Sequence, residues 1–122
     1  MKKVLVIEDN PDNMRLMTYA LERKGYTVVP ALTGEDGIEW TAKEDFLFII
    51  MDIALPGIDG VETTKRLRAD ERTATVPIIA ITSFAMAGDA GKILHAGCNA
   101  YFEKPIDPLT IMDKIHKAIG IS

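Results

Sequence analysis

Phe48-Ile49-Ile50-Met51-Asp52 is a run of four apolar residues that ends in a carboxylate. The pattern of an apolar run ending in a reactive polar residue returns three times. Val4-Leu5-Val6-Ile7 leads into Glu8-Asp9, and Val76-Pro77-Ile78-Ile79-Ala80-Ile81 into Thr82-Ser83. Ala100-Tyr101-Phe102-Glu103 leads into Lys104-Pro105. Runs of this length, bounded by turn or helix-start residues, read as buried strands of a parallel sheet. In such sheets, ligands bind beyond the carboxyl ends of the strands. Three carboxylates, a hydroxyl and a lysine are therefore expected to meet at one edge of one sheet.

The chain has 122 residues, which suits one domain spanning 1–122. A hydrophobic content of 48% and a charged content of 26% are ordinary for a soluble globular protein. The net charge of -4 argues against a nucleic-acid partner, which calls for a basic patch. No segment approaches the ~18 apolar residues needed to cross a bilayer. Met1-Lys2-Lys3 leads directly into a strand, without the apolar stretch of a signal peptide. The single cysteine, Cys98, has no partner for an internal disulfide. The expectation is a cytoplasmic protein with no membrane partner.

Strand and helix signals alternate five times, the mark of an α/β fold. Strands are predicted at about 3–8, 26–30, 46–51, 77–81 and 100–102, and helices at about 11–24, 34–43, 60–70, 85–96 and 108–119. Asn10 and Thr33 are N-caps, Pro11 suits the first helical position, and Gly25 stops the first helix. Asp59-Gly60-Val61-Glu62 has the form of a capping box. The first helix carries a stripe of Leu16, Met17, Ala20 and Leu21, with Met14 at its edge. The last carries Leu109, Met112, Ile115 and Ile119. The fourth helix is weak, because Gly88 and Gly91 each cost about 1 kcal/mol relative to Ala inside a helix; either it is prone to move, or Gly88 belongs to a loop and the helix starts late.

These residues and their spacings resemble the receiver domain of bacterial two-component response regulators, over essentially the whole chain. Thr82 stands thirty residues after Asp52 and Lys104 fifty-two after it, as in the chemotaxis-type receivers. The resemblance implies a flavodoxin-like fold: a five-stranded parallel sheet in the order 2-1-3-4-5, with helices on both faces. It implies a signalling switch rather than a conventional enzyme, one that takes a phosphoryl group from a phosphohistidine onto Asp52 and hydrolyses it slowly. The donor would be a histidine kinase or a histidine phosphotransfer protein, and the downstream protein is unknown.

A carboxylate that approaches a phosphate meets repulsion, and Glu8 and Asp9 add to it. At ~4 Å and an effective dielectric near 20, each like-charge pair costs on the order of 4 kcal/mol. A hard divalent cation relieves this, and Mg²⁺ prefers oxygen ligands. The resemblance makes Asp9 and Asp52 direct ligands, Glu8 a ligand mainly through water, and the backbone carbonyl of Ala54 a fourth contributor. Glu8 stands where many receivers have Asp, so metal binding with altered geometry is expected. Without the other residues, Glu8-Asp9 would read as a solvated loop that complements the dipole of the first helix.

Lys104 would bridge Asp52 and the incoming phosphate, with the Lys104-Pro105 bond held cis. Thr82 would donate its hydroxyl to a phosphoryl oxygen, or else cap the fourth helix. Ser83 is small and leaves room beside Asp52, and its N–H would also face the phosphate. Tyr101 is either the family's switch aromatic or an ordinary half-buried strand residue. The resemblance places Ala54 and Phe84 at the positions that in the family admit or shield water, and neither side chain offers a polar group to orient one. His95 and His116 are expected on the surface, Cys98 buried, and Trp40 partly buried. Two other classes fail on particular residues. A haloacid-dehalogenase-like phosphatase needs an Asp where Ala54 stands. A flavodoxin-like cofactor carrier needs a Ser-, Thr- and Gly-rich loop where Glu8-Asp9-Asn10-Pro11 stands. No output domain is read after Ser122, which leaves a stand-alone regulator, a phosphorelay intermediate or a receiver excised from a longer protein.

Overall fold

The computed structural model describes residues 2–83 and 87–121. Strands and helices alternate in it: β1 Lys3–Ile7, α1 Pro11–Arg23, β2 Thr27–Ala31, α2 Gly34–Lys43, β3 Phe48–Asp52, α3 Gly60–Ala69, β4 Ile78–Thr82, α4 Ala87–Ala96, β5 Ala100–Glu103 and α5 Ile111–Ile119. The strands are parallel and lie in the order β2-β1-β3-β4-β5. This is the doubly wound arrangement that the sequence resemblance implies.

The continuous apolar runs belong to the inner strands: β3 and β4 are buried along their whole length, and β1 along all but its first residue. The outer strands β2 and β5 are only partly covered. Pro30, which has no N–H for a ladder, sits in the outer strand β2. Side chains alternate across the sheet. Val4, Val6, Phe48, Ile50, Ile79 and Ile81 pack with α1 and α5 on one face. Leu5, Ile7, Ile49, Met51, Ile78 and Ala80 pack with α2, α3 and α4 on the other.

Several local expectations give way to tertiary geometry. Leu16 is 39% exposed and lies off the buried stripe of α1, which is Met17, Ala20 and Leu21. Met14 packs partly buried against the core instead. Leu109 is 65% exposed. Asp107 explains it: its Oδ1 accepts from Leu109 N (2.9 Å) and its carbonyl from Thr110 N (3.1 Å), so a separate turn precedes α5 and Leu109 falls outside the helix. Tyr26 precedes β2 rather than opening it, and its ring packs edge-on against Phe48 at 5.4 Å. His116 is half-buried, with Nε2 hydrogen-bonded to the Tyr26 hydroxyl at 2.8 Å, whereas His95 is exposed as expected. Gly88 and Gly91 both fall within α4, so the helix does not start after Gly88; the expected start near residue 85 lies outside the described residues.

Arg68, which nothing in the local pattern singles out, clamps the end of the sheet away from the acidic edge. Its guanidinium donates to the carbonyls of Gly97 (3.0 Å), Thr73 (2.8 Å) and Val76 (2.7 Å) and to Asn99 Oδ1 (2.9 Å). This fixes the C-terminal end of α4 to α3.

Gly60 sets the loop after β3. A Cβ there would lie 2.6 Å from the Asp52 carbonyl oxygen and 2.8 Å from Ile53 Cα, both backbone atoms. The start of α3 thus lies directly against the segment that carries Asp52, tied by the bond from Gly60 N to Ile53 O (2.9 Å). Gly60→Ala is expected to destabilise the protein by about 2 kcal/mol, the usual range for overpacking against atoms that cannot yield. Urea unfolding measures this, and an unchanged midpoint would contradict the close approach.

Candidate functional site

The sheet register delivers the chemistry to one edge. Asp52 is the last residue of β3, opposite Ile81, and Thr82 is the last of β4, opposite Glu103. Glu8 follows β1 and Lys104 follows β5, where Lys104 N donates to Thr82 O at 2.8 Å. The Lys104-Pro105 peptide is cis, as the resemblance implies.

Lys104 Nζ lies 3.0 Å from Glu8 Oε1 and 3.2 Å from Asp52 Oδ2. Asp52 Oδ1 accepts from Ala54 N at 3.2 Å, and Glu8 Oε2 accepts from Asn10 N at 3.1 Å. Asn10 in turn caps α1, its Oδ1 accepting from Asp12 N (2.9 Å) and Asn13 N (3.0 Å). Glu8 and Asp52 are each 5% exposed and Thr82 is 6% exposed, while Asp9 is open to solvent. One carboxylate oxygen from each of Glu8, Asp9 and Asp52 can be chosen so that all three lie within 4.8 Å of one another. Three carboxylates and one ammonium leave two negative charges, which one divalent cation would neutralise. The donors are hard oxygens, the set that suits Mg²⁺.

Burial, the largest influence on Glu8, raises its pKa, and the charge of Asp52 adds to the rise; the hydrogen bonds from Asn10 and Lys104 oppose it without cancelling it. For Lys104, burial lowers the pKa, but the hydrogen bond to Glu8 and the charges of Asp52 and Glu8 outweigh it, and the net shift is upward.

Ala54 and Ser83 line an open groove of 320 Å³ beside this cluster, together with Ile53, Asp59, Val61, Thr82, Lys92 and Ile93. Tyr101 is half-buried against the core on the α2–α4 face, a placement compatible with both sequence readings of it. Thr82 ends β4, and residues 84–86, where its alternative reading as a cap of the fourth helix would be decided, lie outside the described residues. Phe84 lies outside the described residues. The cluster therefore unites Glu8, Asp9, Asp52 and Lys104, with Thr82, Ser83 and Ala54 at its margin.

Residues 4–116 match the family model of the response regulator receiver domain. The chain belongs to that family. Among its relatives, the polar-differentiation response regulator DivK of Brucella ovis is 37% identical over 119 residues, covering 98% of this chain and 97% of the relative. The receiver domain of a Pseudomonas aeruginosa PAO1 sensor histidine kinase, solved with a magnesium ion coordinated in its active site cleft, is 34% identical. It superposes with a TM-score of 0.88 over 98% of both chains. The chemotaxis response regulator CheY4 of Vibrio cholerae is 24% identical with a TM-score of 0.91, covering 97% of this chain and 98% of its own, and shares the fold. The protein is thus a receiver domain of two-component signalling, a family of switches that receive phosphoryl groups from histidine kinases. Among the described residues, no helix is long and apolar enough to cross a membrane.

One contact in this receiver was not legible in advance: Glu8 reaches Lys104. The signal that could have found it is the extra methylene of Glu where many receivers have Asp.

The upward shift of Lys104 has a stability consequence. A lysine with a raised folded pKa contributes stability that is complete below its ordinary 10.5 and is lost as pH rises through the folded value. Lys104→Met lacks that contribution. In urea unfolding, the stability gap between wild type and Lys104→Met is expected to narrow as pH rises above 10.5. Parallel pH curves would contradict the ion pairs.

Proposed function

We propose that residues 1–122 act as one receiver in which Asp52 accepts a phosphoryl group from the phosphohistidine of a histidine kinase or histidine phosphotransfer protein. The observation that carries this is the placement of Asp52 Oδ2 3.2 Å from Lys104 Nζ, beside Glu8 and Asp9. An Asp52 oxygen attacks phosphorus, the P–N bond to the donor imidazole breaks, and the imidazole leaves with the electron pair. Lys104 turns its ammonium to the transferred group, Thr82 donates its hydroxyl to a phosphoryl oxygen, and the N–H of Ser83 faces another.

The acidic cluster fits Mg²⁺, with Asp9, Asp52 and the carbonyl of Ala54 as the holding groups and Glu8 adding charge beside them. When bound, the ion supplies the positive charge that lets one anion approach another. This reading is supported by the magnesium ion in the Pseudomonas relative.

The protein takes part in its own phosphorylation and slow hydrolysis. The methyl group of Ala54 offers nothing to orient an attacking water. The switch runs through Thr82 turning toward the phosphate and Tyr101 turning inward, and it reorganises the face of α4, β5 and α5 for a downstream protein. The donor docks over the start of α1 and the loop after β5, where Asn13 and Ile106 line a recess that also contains Asp52 and Lys104. The chain's charge of -4 supports a protein partner rather than nucleic acid or a membrane, in the cytoplasm.

Acetyl phosphate tests the acceptor. With Mg²⁺, intact mass is expected to rise by one phosphoryl group in the wild type. It should stay unchanged in Asp52→Asn, and in the wild type when a chelator is present. A phosphoryl group persisting in Asp52→Asn would overturn the assignment.

A further inference from the structure

We propose that Glu8 is the positioning residue of Lys104, and that it stays with the lysine when a divalent cation enters the site. This rests on the reading of Asp52 as acceptor and Lys104 as its partner, and it gives Glu8 a role other than the water-mediated ligation that its place in the sequence suggests.

Both oxygens of Glu8 are engaged, and they point to different elements. Oε1 is 3.0 Å from Lys104 Nζ, and Oε2 takes the N–H of Asn10 at 3.1 Å. Asn10 is itself fixed, since its side chain caps α1 with two hydrogen bonds. Glu8 therefore ties the lysine after β5 to the start of α1. A carboxylate 5% exposed that turned away to a cation would leave the Asn10 N–H without its acceptor and the half-buried ammonium of Lys104 with one counter-charge fewer. Asp9 is the contrasting case. It is exposed, and its carboxylate has no hydrogen-bond or ion-pair partner among the described residues, so it is available to a cation without loss.

Charge makes the same distinction. A divalent cation held by Asp9 and Asp52 draws on the Asp52 charge that Lys104 also uses, and it repels the ammonium. Glu8, on the lysine, is what keeps that ammonium in the site. An ammonium has three donors on a flexible stem. One can remain on Glu8 while another swings from Asp52 Oδ2 to an oxygen of the transferred group. Glu8 is then a tether about which Lys104 pivots, and its length matters. An aspartate would sit one methylene short of the lysine.

The side-chain ammonium resonance of Lys104 in ¹⁵N-labelled protein reads this directly, because a lysine held by two carboxylates exchanges slowly enough with water to be seen. It is assigned by its loss in Lys104→Arg. In metal-free wild type the resonance is expected to be present, and to persist at saturating Mg²⁺, with the backbone amides of Asp9 and Ala54 reporting saturation. Asp9→Asn should keep it. Glu8→Asp should lose it while its backbone amide spectrum remains dispersed. Loss of the resonance on Mg²⁺ saturation of the wild type would overturn the proposal, as would its absence from the metal-free protein or its survival in Glu8→Asp. The wild-type titration needs no variant. Amides that ignore Mg²⁺ would sink the metal reading instead, and the metal-free comparison of wild type with Glu8→Asp would still decide the role of Glu8.

Discussion

Lys104 holds an edge of the protein together that would otherwise repel itself. Glu8 and Asp52 are buried carboxylates, Asp9 stands next to them, and a single ammonium lies 3.0 and 3.2 Å from the buried two. The arrangement is satisfied but not neutral. Two negative charges remain, and they make the site hospitable to a divalent cation and to the chemistry that a cation permits. Each functional residue is where it is because a parallel sheet brings the ends of β1, β3, β4 and β5 to a common edge, and the polar residue after each apolar run has no other place to go.

The scaffold is stiff where the chemistry needs it. The two core layers grip β1, β3 and β4 from both faces, and Gly60 lets α3 lie against the backbone of Asp52. It is less strongly built around α4, which carries two glycines. Arg68 holds the C-terminal end of that helix to α3 through the Gly97 carbonyl.

Much of this was legible in the sequence because the relevant forces are local or periodic. Apolar runs mark buried strands, and Asn10, Thr33 and Asp59 cap their helices as their chemistry predicts. The acidic cluster with Lys104 followed from strand ends alone. What escaped was set by reach across the fold. Leu16 and Leu109 fit a helical stripe on paper, but the first faces outward and the second is diverted into a turn by Asp107. The Tyr26–His116 bond joins residues ninety positions apart, and the four bonds of Arg68 converge from separate loops. The partnership of Glu8 with Lys104 depends on one methylene, which no spacing rule registers. Thr82 and Tyr101 were legible as positions, and the movement proposed for them would belong to a state with phosphate present.

The most direct examination of Asp52 is chemical. An aspartyl phosphate is an acyl phosphate, and borohydride reduces it to homoserine, which marks the residue permanently. After phosphorylation in Mg²⁺, reduction and peptide mass mapping, homoserine should appear at position 52 and only in the phosphorylated sample. A phosphorylated protein whose reduced residue lies at any other carboxylate, with Asp52 intact, would contradict the site as described.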